Sequence, residues 1–367
     1  MLSTFDDYLV HQTPAPVLHP ANGDPAFYER YYATAFSPEA DGHLGFGLSI
    51  YPNTGIIDAA LSFSRDGVQE SVFASGHLPA DRSEARVGPL LIEVLEPLRR
   101  IRVVLAETDG LAADLTFVAE GTPMEEQRLI RTRGTATASD RTRFVQFGGW
   151  TGTVRVADMQ VSVDGWHGVR DRSWGVRRQA TAEDVAAADV KPIHAVWSVL
   201  HFPDDFLQVT LHEAPDGVGH VRMAMQAERL APAAVEPNLA LLRTDDVRVD
   251  IDYAPGTRRP ATARIAVGPR GPLDFAIEVE PRQVFQMKGL GYYHPERAHG
   301  RDHGGESVAR ETWRIDDLDP LAEENVHAQQ LCVVRRSDGV TGVGLFEHIA
   351  MGPHQPSGLP EGLAAPH

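Results

Sequence analysis

The sequence predicts an all-β protein built from two consecutive antiparallel barrels or sandwiches with few short helices. Short apolar segments with period-two alternation recur along all 367 residues. Turn residues separate these segments, as the 33 glycines and 26 prolines indicate, and helical patterns are sparse. Roughly fifteen short strands suit two barrels, because an up-and-down barrel needs about eight.

The first series of predicted strands defines an N-terminal β domain over residues 1–180. Its clearest members are FGLSIY (46–51), IIDAALSFS (56–64), LLIEVLE (90–96), IRVVLAE (101–107), ADLTFVA (113–119) and the long segment 144–165. The tyrosine-rich segment DPAFYERYYATAF (24–36) carries no decisive pattern and stays undecided.

A second series begins near residue 194 and defines a C-terminal β domain over residues 190–350, followed by a tail over 351–367. The segment ATAEDVAAAD (180–189) is the clearest helical pattern, and its position suits a linker helix. The segment PLAEENVHAQQ (320–330) is a weaker helical candidate.

Composition excludes several classes of function. The chain has 34 basic and 51 acidic residues, a net charge of −17 that disfavours binding to nucleic acid. The single cysteine, Cys332, rules out an intrachain disulfide. No Rossmann GxGxxG, Walker loop or GxSxG elbow occurs, so we expect no cofactor.

The start of the chain lacks a signal-peptide pattern and no long apolar segment follows, so we expect a cytoplasmic protein without an integral membrane segment.

The densest stretch of the chain is GWHGVRDRSWGVR, which we interpret as a loop after a strand and a turn. It brings together Trp166, His167, Arg170, Asp171, Arg172, Trp174 and Arg177. Arg170 and Arg172 could form an ion cluster with Asp171, walled by the tryptophans. Such a cluster could orient a substrate, or it could only hold one barrel against the other.

This GxRDRSWGxR run resembles a signature of the AttH-like, double lipocalin-type proteins. That group is related to carotenoid 1,2-hydratase (hydroxyneurosporene synthase), tocopherol cyclase and fungal lipocalin-like cyclases. The block KGLGYYHPERAHG (288–300) is similar to a second pattern of the group, close to GYGYxHPxWGHG. It departs from that pattern at Tyr292 and at Arg297–Ala298. The resemblance implies two lipocalin-like barrels, a ligand cavity at their interface, and acid–base chemistry on hydrophobic substrates without a redox cofactor.

Three interpretations of the tyrosine–histidine block stay open. Tyr293 or His294 could transfer a proton within apolar walls. A metal could be bound by histidines and a glutamate, namely His294, His299, His303 and Glu296. Their spacing is irregular for a helix and HExxH is absent, so our prediction names no metal site. The glycine-rich sequence could also form a flexible polar loop.

Alternation along two predicted strands marks further candidates for a ligand cavity. In segment 206–213, Gln208 and His212 share one face. In the preceding strand, Trp197 and His194 lie on opposite faces, and either could line the cavity. Gln286 and Tyr292 could line the same cavity.

The leading hypothesis is a cofactor-independent lyase or isomerase for a hydrophobic isoprenoid or phenolic molecule bound between the barrels. The reaction could be hydration or dehydration, retro-aldol-type fragmentation or cyclisation. Asp171, Tyr293 and His294 are the candidates for proton transfer, and Arg170 is the candidate for charge stabilisation. The candidate substrate-binding residues are Trp166, Arg172, Trp174, His194, Trp197, Gln208, Gln286 and Tyr292. The alternatives are a non-catalytic carrier of a hydrophobic molecule and a structural protein with a filled interior, and a homodimer is left open.

Overall fold

The computed structural model describes residues 3–133, 135–178, 192–268 and 273–366. These residues form strands joined by turns and a few 3₁₀ turns. The strands are β1 Phe27–Phe36, β2 Gly42–Tyr51, β3 Ile56–Arg65, β4 Val68–His77, β5 Ala85–Val87, β6 Leu90–Glu96, β7 Arg100–Thr108, β8 Leu111–Ala119, β9 Met124–Glu125, β10 Leu129–Arg133, β11 Ala136–Val156, β12 Met159–Ser162, β13 Trp166–Arg177, β14 Ile193–His201, β15 Asp205–Glu213, β16 Gly219–Glu228, β17 Leu242–Thr244, β18 Val247–Tyr253, β19 Pro260–Val267, β20 Phe275–Gln286, β21 Ser307–Arg314, β22 Ala328–Arg336 and β23 Thr341–Met351. The 3₁₀ turns are Thr4–Asp7, Pro232–Ala234, Met287–Leu290, Ile315–Asp317, Glu323–Asn325 and Gln355–Ser357.

The strands form two antiparallel sheets, which confirms the predicted all-β class. The first sheet has 14 strands, with the order β21-β4-β3-β2-β1-β13-β11-β8-β7-β6-β5 along its main path. The second has nine strands, in the order β17-β16-β15-β14-β23-β22-β20-β19-β18. Both sheets curve, because β5 and β6 contact β3 in the first, and β18 contacts β15 and β16 in the second. In the part of the chain that the structure describes, no helix is long and apolar enough to cross a membrane.

The two predicted domains are connected by more than one crossing of the chain. Strand β21 comes from the segment predicted as the C-terminal domain, yet it pairs with β4 at the edge of the first sheet. The predicted tail packs onto the second sheet, where the buried guanidinium of Arg258 donates to the carbonyl oxygens of Gly352, Pro360 and Ala364. The domain boundary at residues 180–190 therefore stays a prediction, because the C-terminal segment contributes one strand, β21, to the first sheet.

Two of the local predictions were wrong, and the segment without a prediction forms a strand. Segment 24–36, left undecided, contains strand β1, and segment 165–177 is the central strand β13, so its interpretation as a loop was wrong. The helix proposed for 320–330 was also wrong, because a 3₁₀ turn and the start of β22 occupy those residues. A central strand can contain arginines and tryptophans here because other parts of the chain cover most of the side chains on both faces of β13. The linker helix proposed for 180–189 lies outside the described residues.

Apolar side chains form three buried clusters. One lies on the concave side of the first sheet, a second lies inside the second sheet, and a third lies between the sheets. The predicted alternation along β14 and β15 is confirmed, because Phe206 and Trp197 lie in the cluster between the sheets while Leu207 and Val196 lie inside the second sheet. Residues of one parity on each strand therefore face the other sheet.

Candidate functional site

Strand β13 presents two sets of side chains to two different environments. Val169 belongs to the apolar cluster between the sheets, whereas Trp166 belongs to the cluster inside the first sheet. Successive side chains of a strand point to opposite faces, so Asp171 faces the second sheet and Arg170 faces the interior of the first. The predicted ion cluster of Asp171 with Arg170 and Arg172 does not form for this reason.

Each of the two inward-facing arginines has its own partner. Both Nε and Nη2 of Arg170 donate to Oε1 of Gln146, at 2.9 and 2.6 Å. Nη2 of Arg172 donates to Glu29 at 2.9 Å, and its guanidinium lies 4.1 Å from the ring centroid of Tyr31. Both guanidinium groups are thus satisfied inside the first sheet.

Asp171 belongs to a buried polar group that we call the inter-sheet site. From the first sheet it contains Arg30, Tyr32, Arg143 and Asp171, and from the second sheet and the segment after β20 it contains Trp197, Gln208, Tyr292, His327, Gln329 and Glu347. The strand registers set these side chains in rows. Tyr32 pairs with Asp171 across β1 and β13, and Glu347 lies between Gln329 and Trp197 in the second sheet.

Arg143 links two carboxylates at this site. Its Nη2 lies 2.6 Å from Oε1 of Glu126, and its Nη1 lies 3.6 Å from Oδ2 of Asp171. Its guanidinium is 5.8 Å from the ring centroid of Trp197, and Glu126 also accepts a hydrogen bond from Gln208. One arginine therefore holds two buried acids and contacts both sheets.

A hydrogen-bonded chain runs through the second sheet to the first. Nε2 of Gln329 donates to the hydroxyl of Tyr32 at 2.8 Å and to Oε2 of Glu347 at 2.6 Å. Nε2 of His327 lies 3.0 Å from Oε1 of Glu347. Glu347 thus orients His327 and is connected to Tyr32, the neighbour of Asp171.

The pKa values of the two central acids shift in opposite directions. Burial raises the pKa of Asp171, Arg143 opposes this shift, and Glu126 adds to it. Burial would also raise the pKa of Glu347, but His327 and Gln329 hold it below its ordinary value. Two acids with divergent pKa values are the arrangement expected of an acid and a base.

Several buried polar atoms of the inter-sheet site have no hydrogen-bond partner among the described residues. They are Nε and Nη2 of Arg30, Nε of Arg143, Oδ1 of Asp171, Nε1 of Trp197, Oε1 of Gln208 and Nδ1 of His327. Native proteins satisfy nearly all buried polar atoms. A group of such atoms in one place can bind a polar ligand.

The tyrosine–histidine block contributes its tyrosines to this site. The ring of Tyr292 lies 4.6 Å from the guanidinium of Arg30 and 4.8 Å from the ring of His327. Tyr293 lies 6.0 Å from the ring of His327, and burial raises its pKa. The guanidinium of Arg177 lies 6.0 Å from the ring of Tyr292, so the two blocks singled out in the sequence meet between the sheets.

The three histidines of the block have separate surroundings. His294 lies 3.1 Å from Glu311, and its Nδ1 accepts hydrogen bonds from the backbone of residues 296 and 297. His299 is bonded to Arg30 and lies 3.8 Å from Asp58. His303 lines a different, small pocket with His299. Among the described residues, His294, His299 and His303 do not converge on one point.

Five predicted binding residues lie outside the inter-sheet site. One is Arg172, which faces the interior of the first sheet and donates to Glu29. Trp166 is buried against Phe63 inside the first sheet, and Trp174 is 39% exposed. Gln286 is buried, and its backbone N–H donates to Gln69. His194 faces away from the first sheet and contacts His348 and His354.

A separate cavity of about 800 Å³ opens on the concave side of the first sheet. Its wall is mainly apolar, with Leu48, Ile50, Ile57 and Ile92 among its residues, and Arg172 beside them. Its volume and lining are typical of a pocket for a small molecule.

Sequence reasoning missed Arg30, Arg143, Glu126, His327 and Glu347. Arg30, Arg143 and Glu347 stand within strands, and Glu126 and His327 stand next to strand ends, so no local motif marks them.

One signal was present in the two glycines of Gly45–Phe46–Gly47, at the start of a predicted strand. A Cβ at Gly47 would lie 2.9 Å from Nη2 of Arg30, and one at Gly45 would lie 2.9 Å from Phe285. Glycine pairs in a strand can indicate such close approach.

A family model described as "Family of unknown function (DUF8625)" matches residues 2–360. The chain belongs to this family. No curated protein matches the sequence of this DUF8625 member.

Solved structures with the same fold include three that cover most of the chain. NE1406 of Nitrosomonas europaea, assigned as AttH, is 12% identical with a TM-score of 0.56, covering 88% of this chain and 92% of that one. Kievitone hydratase from Nectria haematococca is 13% identical with a TM-score of 0.51, covering 88% of each chain. CghA with Sch210972 is 10% identical with a TM-score of 0.50, covering 89% of each chain. The resemblance to AttH-like proteins is thereby confirmed for the fold.

Proposed function

We propose that the inter-sheet site catalyses acid–base chemistry on a hydrophobic small molecule that carries oxygen groups. The reaction class is that of a lyase, by addition or removal of water or fragmentation, or of an isomerase or cyclase. The observation that carries the proposal is Asp171, a buried acid with a raised pKa. Among the described residues its Oδ1 has no hydrogen-bond partner, and neither do several donors of the same site. Isoprenoid and phenolic molecules with carbonyl or hydroxyl groups fit such a site.

The proposed roles follow from the two shifted acids. Protonated Asp171 donates its proton to one carbon of a polarised double bond. His327, held at Nε2 by Glu347, accepts at Nδ1 a proton from a water molecule whose oxygen bonds to the other carbon. The proton on His327 then returns to Asp171 through solvent, so one water is added in total and no electron acceptor is needed. Arg30 and Arg143 would stabilise negative charge on a substrate oxygen.

Two of the earlier candidates receive other roles in this proposal. Arg170 pairs with Gln146 on the opposite face of β13, and His294 is held by Glu311. Neither is assigned to proton transfer. Tyr293 stays a candidate proton donor because it is buried beside His327. The name of one fold neighbour, kievitone hydratase, supplies a precedent for hydration on this fold.

The test is a turnover assay with a panel of oxygenated isoprenoids and phenols in H₂¹⁸O, read by mass spectrometry. We expect wild-type protein to exchange or add labelled water to one class of compound. Asp171→Asn should reduce the rate by about 10²-fold or more, as loss of a general acid does. The matched control is Asp158→Asn, which changes an exposed carboxylate in a turn and should retain the full rate. Equal rates for the wild type and Asp171→Asn would refute the assignment.

A second candidate, the non-catalytic carrier, is favoured by the 800 Å³ cavity of the first sheet. In this case the protein would bind an apolar molecule whose polar end lies near Arg172. Mass spectrometry of ligand extracted from purified protein distinguishes the two. A compound that is recovered unchanged after prolonged incubation, with equal occupancy in Asp171→Asn, supports the carrier.

A further inference from the structure

Three ligating side chains meet at one end of the second sheet, away from the inter-sheet site. His194 stands near the start of β14, Glu213 ends β15, and His354 follows β23. His194 and Glu213 are direct cross-strand partners. The segment after β23 is brought to them by a hydrogen bond from the N–H of Gln355 to the carbonyl of Pro215 at 2.8 Å.

The distances between the ligand atoms suit one metal ion. Oε2 of Glu213 lies 3.6 Å from Nδ1 of His194 and 3.2 Å from Nε2 of His354, and the three atoms all lie within 4.8 Å of one another. A tetrahedral Zn²⁺ with bonds of about 2.0–2.1 Å holds its ligands roughly 3.3 Å apart. Because the two imidazole rings are parallel, they would have to tilt toward each other for both in-plane lone pairs to point at the ion.

Both imidazoles direct a buried nitrogen toward the carboxylate of Glu213. His194 is 4% exposed and His354 is 2% exposed. Apart from that carboxylate, Nδ1 of His194 and Nε2 of His354 have no polar partner among the described residues. The two rings are stacked, with centroids 3.6 Å apart. A cation bound by both nitrogens and the carboxylate would satisfy all three groups at once.

The other polar atom of each ligand is held by a second residue. Nδ1 of His354 lies 2.9 Å from Oγ of Ser357, and Oε1 of Glu213 accepts from Arg222 at 2.7 Å. Nε2 of His194 lies 3.4 Å from Nε2 of His348. With Nδ1 of His354 donating to Ser357 and Nε2 of His194 donating to His348, the other nitrogen of each ring would carry a lone pair for the ion.

We propose that His194, Glu213 and His354 bind one divalent transition-metal ion, Zn²⁺ in the first instance. Two imidazoles and one carboxylate are a known zinc ligand set that leaves a fourth position for water. The ion would join the segment after β23 to β14 and β15. The proposal is independent of the acid–base function, because none of the three residues belongs to the inter-sheet site.

The test uses the full chain without an affinity tag, stripped with chelator and titrated with Zn²⁺ by calorimetry. Metal content is then measured after gel filtration. We expect about one Zn²⁺ per chain, an affinity loss of about 100-fold or more in Glu213→Gln and His354→Gln, and about 10-fold in Ser357→Ala. Zn²⁺ should also raise the Tm of wild-type protein by about 2 °C or more.

Controls separate this site from the other histidines of the chain. His77→Gln removes an exposed histidine and should bind Zn²⁺ as the wild type does. Circular dichroism of the metal-free variants checks folding, and Co²⁺ absorption bands report the coordination independently. If the wild type keeps less than about 0.1 Zn²⁺ per chain, or if Glu213→Gln and His354→Gln bind as tightly as the wild type, the proposal is refuted.

Discussion

Both faces of β13 carry charged residues, but these residues differ in how completely they are hydrogen-bonded. On the face inside the first sheet, Arg170 and Arg172 each have a carbonyl or carboxylate partner. On the face toward the second sheet, Asp171 lies 3.6 Å from Arg143, and its other carboxylate oxygen has no hydrogen-bond partner in the part of the chain that the structure describes. Buried charge with complete hydrogen bonding stabilises a fold, whereas incomplete hydrogen bonding leaves capacity for a ligand. We therefore propose a functional role for the face that carries Asp171, whereas the arginines of the other face are hydrogen-bonded within the first sheet.

The largest effect on stability should come from replacing Arg143, whose charge lies between the two sheets. Arg143→Ala leaves Glu126 buried without its partner, so we expect the free energy of unfolding to fall by about 3–5 kcal/mol. Urea denaturation measures this loss. The double variant Arg143→Ala/Glu126→Gln should recover a large part of it, because no unpaired charge remains there. A loss below about 1 kcal/mol would show that the ion pair is solvated.

A smaller effect should appear in the pH dependence of stability through His43, which packs between the sheets against Phe285. Burial lowers the pKa of His43 to about 3, while an unfolded histidine binds a proton below about pH 6.5. The unfolded state therefore binds more protons between these values, and stability falls as the pH falls. Between pH 7 and pH 5 the wild type should lose about 2 kcal/mol more than His43→Gln. The exposed His220 provides the control His220→Gln, which should follow the wild type in urea melts at both pH values.

The smallest effect on stability should come from the face of β13 inside the first sheet, where the arginines have hydrogen-bond partners. Arg170→Met keeps the apolar contact with Phe117 and Phe144 but loses the hydrogen bonds to Gln146. We expect a loss of about 1 kcal/mol in unfolding free energy and unchanged turnover in the assay proposed for Asp171. A large fall in turnover by the folded variant would contradict the division between the two faces.

Some of the candidate site was predictable from local sequence and some was not. Trp197 and Gln208 were found because alternation along a strand assigns each side chain to a face. Tyr292, Tyr293 and Asp171 were found because they stand in dense polar and aromatic blocks. Arg30, Arg143 and Glu347 carry no local mark, since their importance comes from neighbours more than 100 residues away in the chain or on other strands.

The period-two apolar pattern was sufficient for the all-β class, for the strand parity of β14 and β15, and for the division of β13 into two faces once it is recognised as a strand. Packing of the two sheets decided which faces meet, and hence that Asp171 lies between the sheets beside Arg143 rather than in an ion pair with Arg170. It also brought the segment after β23 to His194 and Glu213. The physical reason is that strand geometry is local, whereas burial, pKa shifts and ligand geometry depend on residues brought together only by the fold.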